Sequence, residues 1–407
     1  MGRNKIYDGY QPYQYLTPGF DYKSFELREA ERPDWSYTIP LSKVENERFE
    51  RFIEDNVVIS VHEHPCRYPV DLSKSPDLFP EGRQFMAYKA LSRSGLDCVF
   101  DNLMDGRAII HSKHGWDWLS TIHDLGMRLC DIAHQEFVIH CRDVEDIERA
   151  YYEGRLAWVA CLESATCIEN EVDRIDVLYG LGLRSLGICY SESNMLGGGM
   201  GELNPDSGLT DFGFDCVKRM NKLGMLIDVG HANDRTSIEV IEASGKPIYD
   251  SHSGPAAIAR GHVKCDEVLQ ALAENNGILG LGGAGRGFRT DRHPVGSIES
   301  YMECMEYCIE LMGIDHVSYG PDTLYGDHQD HYAAFQKKWT EGGYGHYDRH
   351  PEHAEVEHPD DPGYVKGLEN PNELVNVIRW MIKHGYSDEE ISKVMGLNVI
   401  DLLKQVW

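Results

Sequence analysis

The 407-residue sequence is short of positive charge. Its 39 lysines and arginines stand against 67 aspartates and glutamates, a formal net charge of −28. That deficit argues against binding to a nucleic-acid backbone, which needs a Lys/Arg surplus, and against docking on anionic membrane surfaces. Long apolar runs are missing as well: no stretch reaches the roughly 18 consecutive apolar residues of a membrane span. The opening MGRNKIYDGYQPYQY has neither the apolar core of a secretory signal nor a Ser or Thr at position 6 for myristoylation. There is no Cys-x-x-Cys, which argues against a structural zinc finger, and no Gly-x-Ser-x-Gly elbow, which argues against an α/β-hydrolase. The GGGMG run at 197–201 lacks the Lys-Ser/Thr of a phosphate-binding loop and reads as a flexible loop. The eleven cysteines are scattered and odd in number, as expected of reduced thiols in a cytoplasm. The expected partner is a small-molecule substrate, with no nucleic acid and no membrane.

What is present is a series of eight short apolar runs, many of them rich in β-branched residues. They lie at Val57–His64, Cys98–Leu103, Leu156–Ser164, Arg184–Ser191, Gly224–His231, Lys246–Ser253, Gly277–Gly283 and His316–Asp322. Runs of this length suit strands buried on both faces, as in a parallel sheet. Segments of helical period separate them, among them Thr210–Leu223, Asp234–Ala243, Asp266–Glu274 and Ser297–Met312. Eight such alternations predict the α/β class and a (β/α)8 TIM-type barrel. Residues 1–50, rich in tyrosine and poor in periodicity, read as an extension that wraps the barrel or contacts another copy, so a homo-oligomer is expected. Residues 51–407 read as the barrel, with a Gly-, His- and acid-rich insertion over 324–370 that has the length of a lid. Helices over Glu373–Lys383 and Asp388–Val406 close the chain.

The runs matter for how they end. The first ends in His62-Glu63-His64, the third at Glu163, the fifth at His231, the sixth at His252 and the eighth at Asp322. In a barrel the C-terminal strand ends converge on one mouth, where active sites lie. His62 and His64 are two apart on a strand and so share a face. Six ligand-type side chains delivered to one place, from five different repeats, point to a site for a divalent transition metal. Zinc, iron and manganese all accept such donors.

At these residues the sequence resembles the membrane (renal) dipeptidase family of the amidohydrolase superfamily, over roughly 57–400. The stretches that carry the resemblance are GLTDFGFDCVKRMNKLGMLIDVGHAND, PIYDSHSG, LYGLGLRSLGI, DHVSYGPD and KVMGLNVIDLL. The family implies a binuclear zinc hydrolase on a (β/α)8 barrel. It implies one zinc on His62, His64 and Asp322, a second on His231 and His252, and Glu163 shared by both. It implies a zinc-bound hydroxide, formed near neutral pH because the metal acidifies its water, that attacks an amide-type carbonyl. Asp322 would carry the proton, first as base and then as acid.

Three positions depart from that pattern. His64 stands where the family has Asp. Tyr190 stands at the histidine that stabilises the oxyanion, and a phenol can donate the same hydrogen bond. His262 stands at the arginine that grips the substrate carboxylate, a contact imidazole replaces poorly. Arg286, after the seventh run, is a further candidate for an anionic substrate. The expected activity is therefore dipeptidase-like hydrolysis. The alternatives are hydrolysis of a lactone, a cyclic amide or a carbon–carbon bond next to a carbonyl, and, from another class, a non-catalytic ligand-binding barrel.

Overall fold

In the computed structural model the described residues are 5–30, 37–75, 77–78, 83–103, 117–202, 206–283, 288–325 and 365–407. Each of the eight apolar runs forms a strand: β1 Ile59–Arg67, β2 Cys98–Asn102, β3 Leu156–Leu162, β4 Leu183–Gly187, β5 Leu226–Asp228, β6 Tyr249–Pro255, β7 Ile278–Leu281 and β8 Val317–Tyr319. Neighbours in the sheet follow the chain, from β1 at one edge to β8 at the other, and every pair among them is parallel. Three residues after β8, the short strand Thr323–Tyr325 pairs in parallel with β1. The sheet is therefore curled, and the chain that leaves one edge hydrogen-bonds to the other. Phe85–Met86 adds an antiparallel pair on β1.

Nearly every strand residue is buried, as a sheet covered on both faces requires. Alternate residues build two layers. Ile59, Val61, Cys98, Phe100, Ala157, Val159, Cys161, Leu226, Tyr249 and Ile278 meet on the concave side. Val58, Val99, Leu103, Trp158, Ala160 and Leu162 pack outward with the helices. The C-terminal helix Asn398–Val406 joins the inner layer through Val399, Leu402, Leu403 and Val406. It sits at the N-terminal strand ends, where Lys246 Nζ bonds the Val406 carbonyl. One end of the curl is thus sealed by apolar side chains, which leaves the C-terminal strand ends for polar chemistry.

Strand β1 carries a register shift. Ser60 pairs with Val99 but Glu63 with Asp101, so three residues span what two span on β2. The extra residue is a bulge, and it turns His62 to the concave side that Val61 already faces. The helices follow the expected segments closely. Asp266–Glu274 forms as expected, Asp211–Leu223 is capped by Thr210, Asp234–Ala243 by Asn233, and Ile298–Met312 by Ser297. The expected helix over 388–406 is interrupted by a π-turn at Lys393–Leu397, and the one over 373–383 begins as a 3₁₀ turn.

The described part of the 1–50 extension lies on this same chain. Tyr10 Oη and the Tyr13 backbone N–H both donate to Asp131 Oδ1, at 2.8 and 2.7 Å. Of the 324–370 insertion, 324–325 belong to the strand on β1 and Val365 and Leu368 are buried, while 326–364 lie outside the described residues. Among the described residues no helix is long and apolar enough to cross a membrane.

Candidate metal centre

The strand ends bring the six expected ligand residues together. His62 Nε2 is 3.2 Å from Glu163 Oε1 and 3.6 Å from Asp322 Oδ1. His64 Nε2 is 2.9 Å from Glu163 Oε1 and 3.1 Å from Asp322 Oδ1. On the other side of the same carboxylate, His231 Nε2 is 3.3 Å from Glu163 Oε2 and 3.1 Å from His252 Nε2. Ligands on one tetrahedral zinc, with bonds of about 2.0–2.1 Å, lie about 3.3 Å apart. The observed separations bracket that value, so the donor set fits a divalent cation. His62 Nε2 is buried and makes no well-aligned hydrogen bond; it faces only carboxylate oxygens, as a nitrogen sharing a cation with them would.

The local sequence explains the placement. Glu163 follows the last residue of β3 in the inward phase of Val159 and Cys161. Beside it, a Cβ at Gly187 would fall 1.8 Å from the Glu163 carbonyl oxygen, so only glycine lets β4 end there. Asp322 has φ +57°, a left-handed conformation that Asp tolerates better than most residues. Its backbone N–H bonds the His62 carbonyl. Its side chain, 17% exposed, is the most open of this ligand cluster. Burial alone would raise the Glu163 carboxyl, but with protons rather than a cation on their Nε2 atoms the imidazoles of His231, His62 and His64 hold it well below the usual carboxylate range.

A second layer fixes the rings. Ser251 Oγ lies 2.6 Å from Asp228 Oδ2, 3.0 Å from His62 Nδ1 and 2.7 Å from His252 Nδ1. Asp228 Oδ1 accepts the backbone N–H groups of Gly230 and Ser251. A carboxylate can only accept, so the serine hydroxyl donates its one hydrogen to Asp228 Oδ2. The hydroxyl oxygen can then only accept, so both Nδ1 atoms carry hydrogen and both Nε2 atoms present lone pairs. Burial, with Asp250 nearby, pushes the Asp228 carboxyl up, and the serine bond pulls it back. His64 is oriented likewise, its Nδ1 3.0 Å from the Asn102 carbonyl oxygen. Metal-bound histidines are commonly held this way. Ser251→Ala is therefore expected to weaken metal binding about 10–100-fold while the fold persists; chelator competition would measure it, and an unchanged affinity would remove Ser251 from this role.

Tyr190 is buried with its ring 4.0 Å from that of His231. His262 lies inside the cluster, its ring 4.5 Å from His231 and 4.4 Å from His252. Arg286 lies outside the described residues. The GGGMG segment differs from its expectation as a flexible loop. It is bonded into the site wall, with Gly198 N–H on Thr236 Oγ1 and Met200 N–H on the His231 carbonyl.

Two buried acids went unread in the sequence. Asp228 looked like one polar residue inside an apolar strand. Glu63 is flanked by the two histidines but faces away from them, and bonds Ser60 and Thr323. Burial pushes its carboxyl up to about 7.

A model of the family described as membrane dipeptidase (peptidase family M19) matches residues 118–330, more than half of the chain. The chain belongs to the membrane dipeptidase family. Dipeptidase tcpJ of Claviceps purpurea is 24% identical over 294 residues, which cover 71% of this chain; the match spans 58% of that relative's length. Among solved structures, an amidohydrolase from Pseudomonas aeruginosa superposes with a TM-score of 0.70 at 22% identity, over 88% of this chain and 98% of that one. A metallo peptidase from Rhodobacter sphaeroides, liganded with a phosphinate mimic of the dipeptide L-Ala-D-Ala, gives 0.65 at 19% identity, over 87% of this chain and 100% of that one. These likenesses give this member of the dipeptidase family the same α/β fold as those proteins.

Proposed function

We propose that this protein is a metal-dependent hydrolase of amide-type carbonyls, dipeptidase-like in its chemistry, built as a closed eight-stranded barrel around two zinc ions. The observation that carries this is the division of Glu163, with Oε1 against His62 and His64 and Oε2 against His231. When bound, the ions supply a water acidified toward neutral pH and polarise the substrate carbonyl. The chain's own groups do the rest. Asp322, the ligand most open to the mouth, accepts the water's proton and delivers it to the leaving group. Tyr190 donates a hydrogen bond to the developing oxyanion. Ser251 and Asp228 hold two imidazoles in the ligating tautomer. The dipeptidase name of the Claviceps relative and the dipeptide mimic in the Rhodobacter protein support a peptide-like substrate.

His262 favours a second reading, the same chemistry on a lactone, a cyclic amide or another non-peptide carbonyl. Burial, together with His231 and Lys264, pushes its pKa well down, and its Nε2 is engaged by the Gly230 carbonyl. A ring so held brings no positive charge of its own to a dipeptide carboxylate. We also infer a homo-oligomer of the cytoplasm, with residues 1–50 as an extension of the barrel; eleven scattered cysteines, an odd number, support a reducing compartment.

Metal analysis of the purified protein should find about two ions per chain, and a value near zero would end both readings. A panel of L,L- and L,D-dipeptides set against lactones and cyclic amides separates them. Dipeptide turnover at ordinary enzyme rates, about 1–10³ per second, would select the first.

A further inference from the structure

We propose that His262 is a direct ligand of the cation held by His231 and His252, bonding through Nδ1. The inference rests on the two-metal centre proposed above. It adds to that centre a fifth imidazole, which makes the second position three histidines and one carboxylate oxygen.

The backbone brings His262 there by a short route. Val263–Lys264 pairs in parallel with the end of β6, Gly254 against Val263, and the Gly254 N–H bonds the His262 carbonyl. His262 is thereby stitched to the strand that carries His252. Lys264, fully buried, then ties the segment to the turn that carries His231. Its Nζ donates to the Val229 and Ala232 carbonyls and to Ser237 Oγ. Both neighbours of the second position therefore fix the His262 backbone.

The contacts of the ring leave one nitrogen for a cation. One ring nitrogen from each of His231, His252 and His262 lies within 4.8 Å of the other two. His262 Nε2 is 2.7 Å from the Gly230 carbonyl oxygen. A carbonyl only accepts, so Nε2 carries the hydrogen and Nδ1 the lone pair. A ring N–H given to a backbone carbonyl is the usual second contact of a metal-bound histidine. His64 makes the same contact with the opposite nitrogen, through the Asn102 carbonyl. The three rings pack with centroids 4.4–4.7 Å apart, close enough for one cation to take a nitrogen from each.

The test compares wild type, His262→Ala and His262→Gln. Each is stripped with a chelator, reloaded with Zn²⁺ alone, and dialysed against a competing chelator before metal counting. Melting is followed with and without Zn²⁺. The expected result is about two ions per chain in wild type and about one in both variants, the second ion held at least about 100-fold more weakly, beyond the usual loss for an orienting partner. The metal-free melting temperature should move little, while the rise on adding Zn²⁺ shrinks. X-ray absorption on loaded wild type should count about five imidazoles for the ion pair rather than four, a readout that needs no variant. If wild type binds two ions and the variants bind both equally well, or if the count is four, His262 is not a ligand. If wild type itself takes up fewer than two, the two-metal proposal fails and this one with it.

Discussion

Glu163→Gln is expected to leave the protein folded and able to hold at most one metal ion, with hydrolysis reduced to background. The geometry forces this outcome. Oε1 lies 2.9–3.2 Å from the Nε2 atoms of His62 and His64, and Oε2 lies 3.3 Å from that of His231. An amide of the same shape offers one acceptor oxygen and one NH₂. Whichever way it turns, a donor faces one set of imidazoles, and that set loses its shared ligand. The substitution also removes the single negative charge common to both positions, so two divalent ions would repel with less compensation in a buried site. Metal counting after reloading, followed by a hydrolysis assay at saturating Zn²⁺, reads both effects. A variant that still binds two ions with unchanged affinity would show that the carboxylate is not shared, and the two-metal centre would have to be abandoned.

How much of this centre could be read beforehand depends on the range of each interaction. His62, His64, Glu163, His231, His252 and Asp322 were legible because each terminates an apolar run, and parallel strands gather their C-terminal ends. The even spacing of His62 and His64 was enough to put them on one face. The bulge before them was not legible, since it is a property of pairing with β2 and leaves no mark in the β1 sequence itself. Asp228 is similar. Its meaning comes from Ser251, 23 residues away in sequence and adjacent only once β5 and β6 pair. The packing of His262 against His231 and His252 was not legible, because nothing local shows that Val263–Lys264 adds to the end of β6. The glycine-rich segment 197–201 failed for another reason. Glycine signals both freedom and close approach, and here it is the second. A Cβ on Gly198 would lie 2.0 Å from Ser207 Oγ and 2.4 Å from Asn233 Nδ2. Packing of that kind depends on which neighbours arrive, so composition alone cannot tell a wall from a loop.

Asp322→Asn separates holding the metal from moving the proton. The side chain does both jobs in the proposed reaction, and the two respond differently to an amide. Oδ1, at 3.1 Å from His64 Nε2, can be replaced by the amide oxygen, so the first position loses charge but keeps a donor. The left-handed backbone at 322 suits Asn as well as Asp, so the substitution adds no strain there. What disappears is a group that can take a proton from water and return it to the leaving group. General acid–base catalysis contributes about 10²–10⁴ in rate, and the loss in kcat should fall in that range with close to the full metal content at saturating Zn²⁺. The control is Asp322→Ala, which removes the donor as well and should lower metal content at the first position. If the Asn variant turns over at the wild-type rate with both ions bound, the proton passes through another group, and Tyr190, buried beside His231, becomes the residue to replace next.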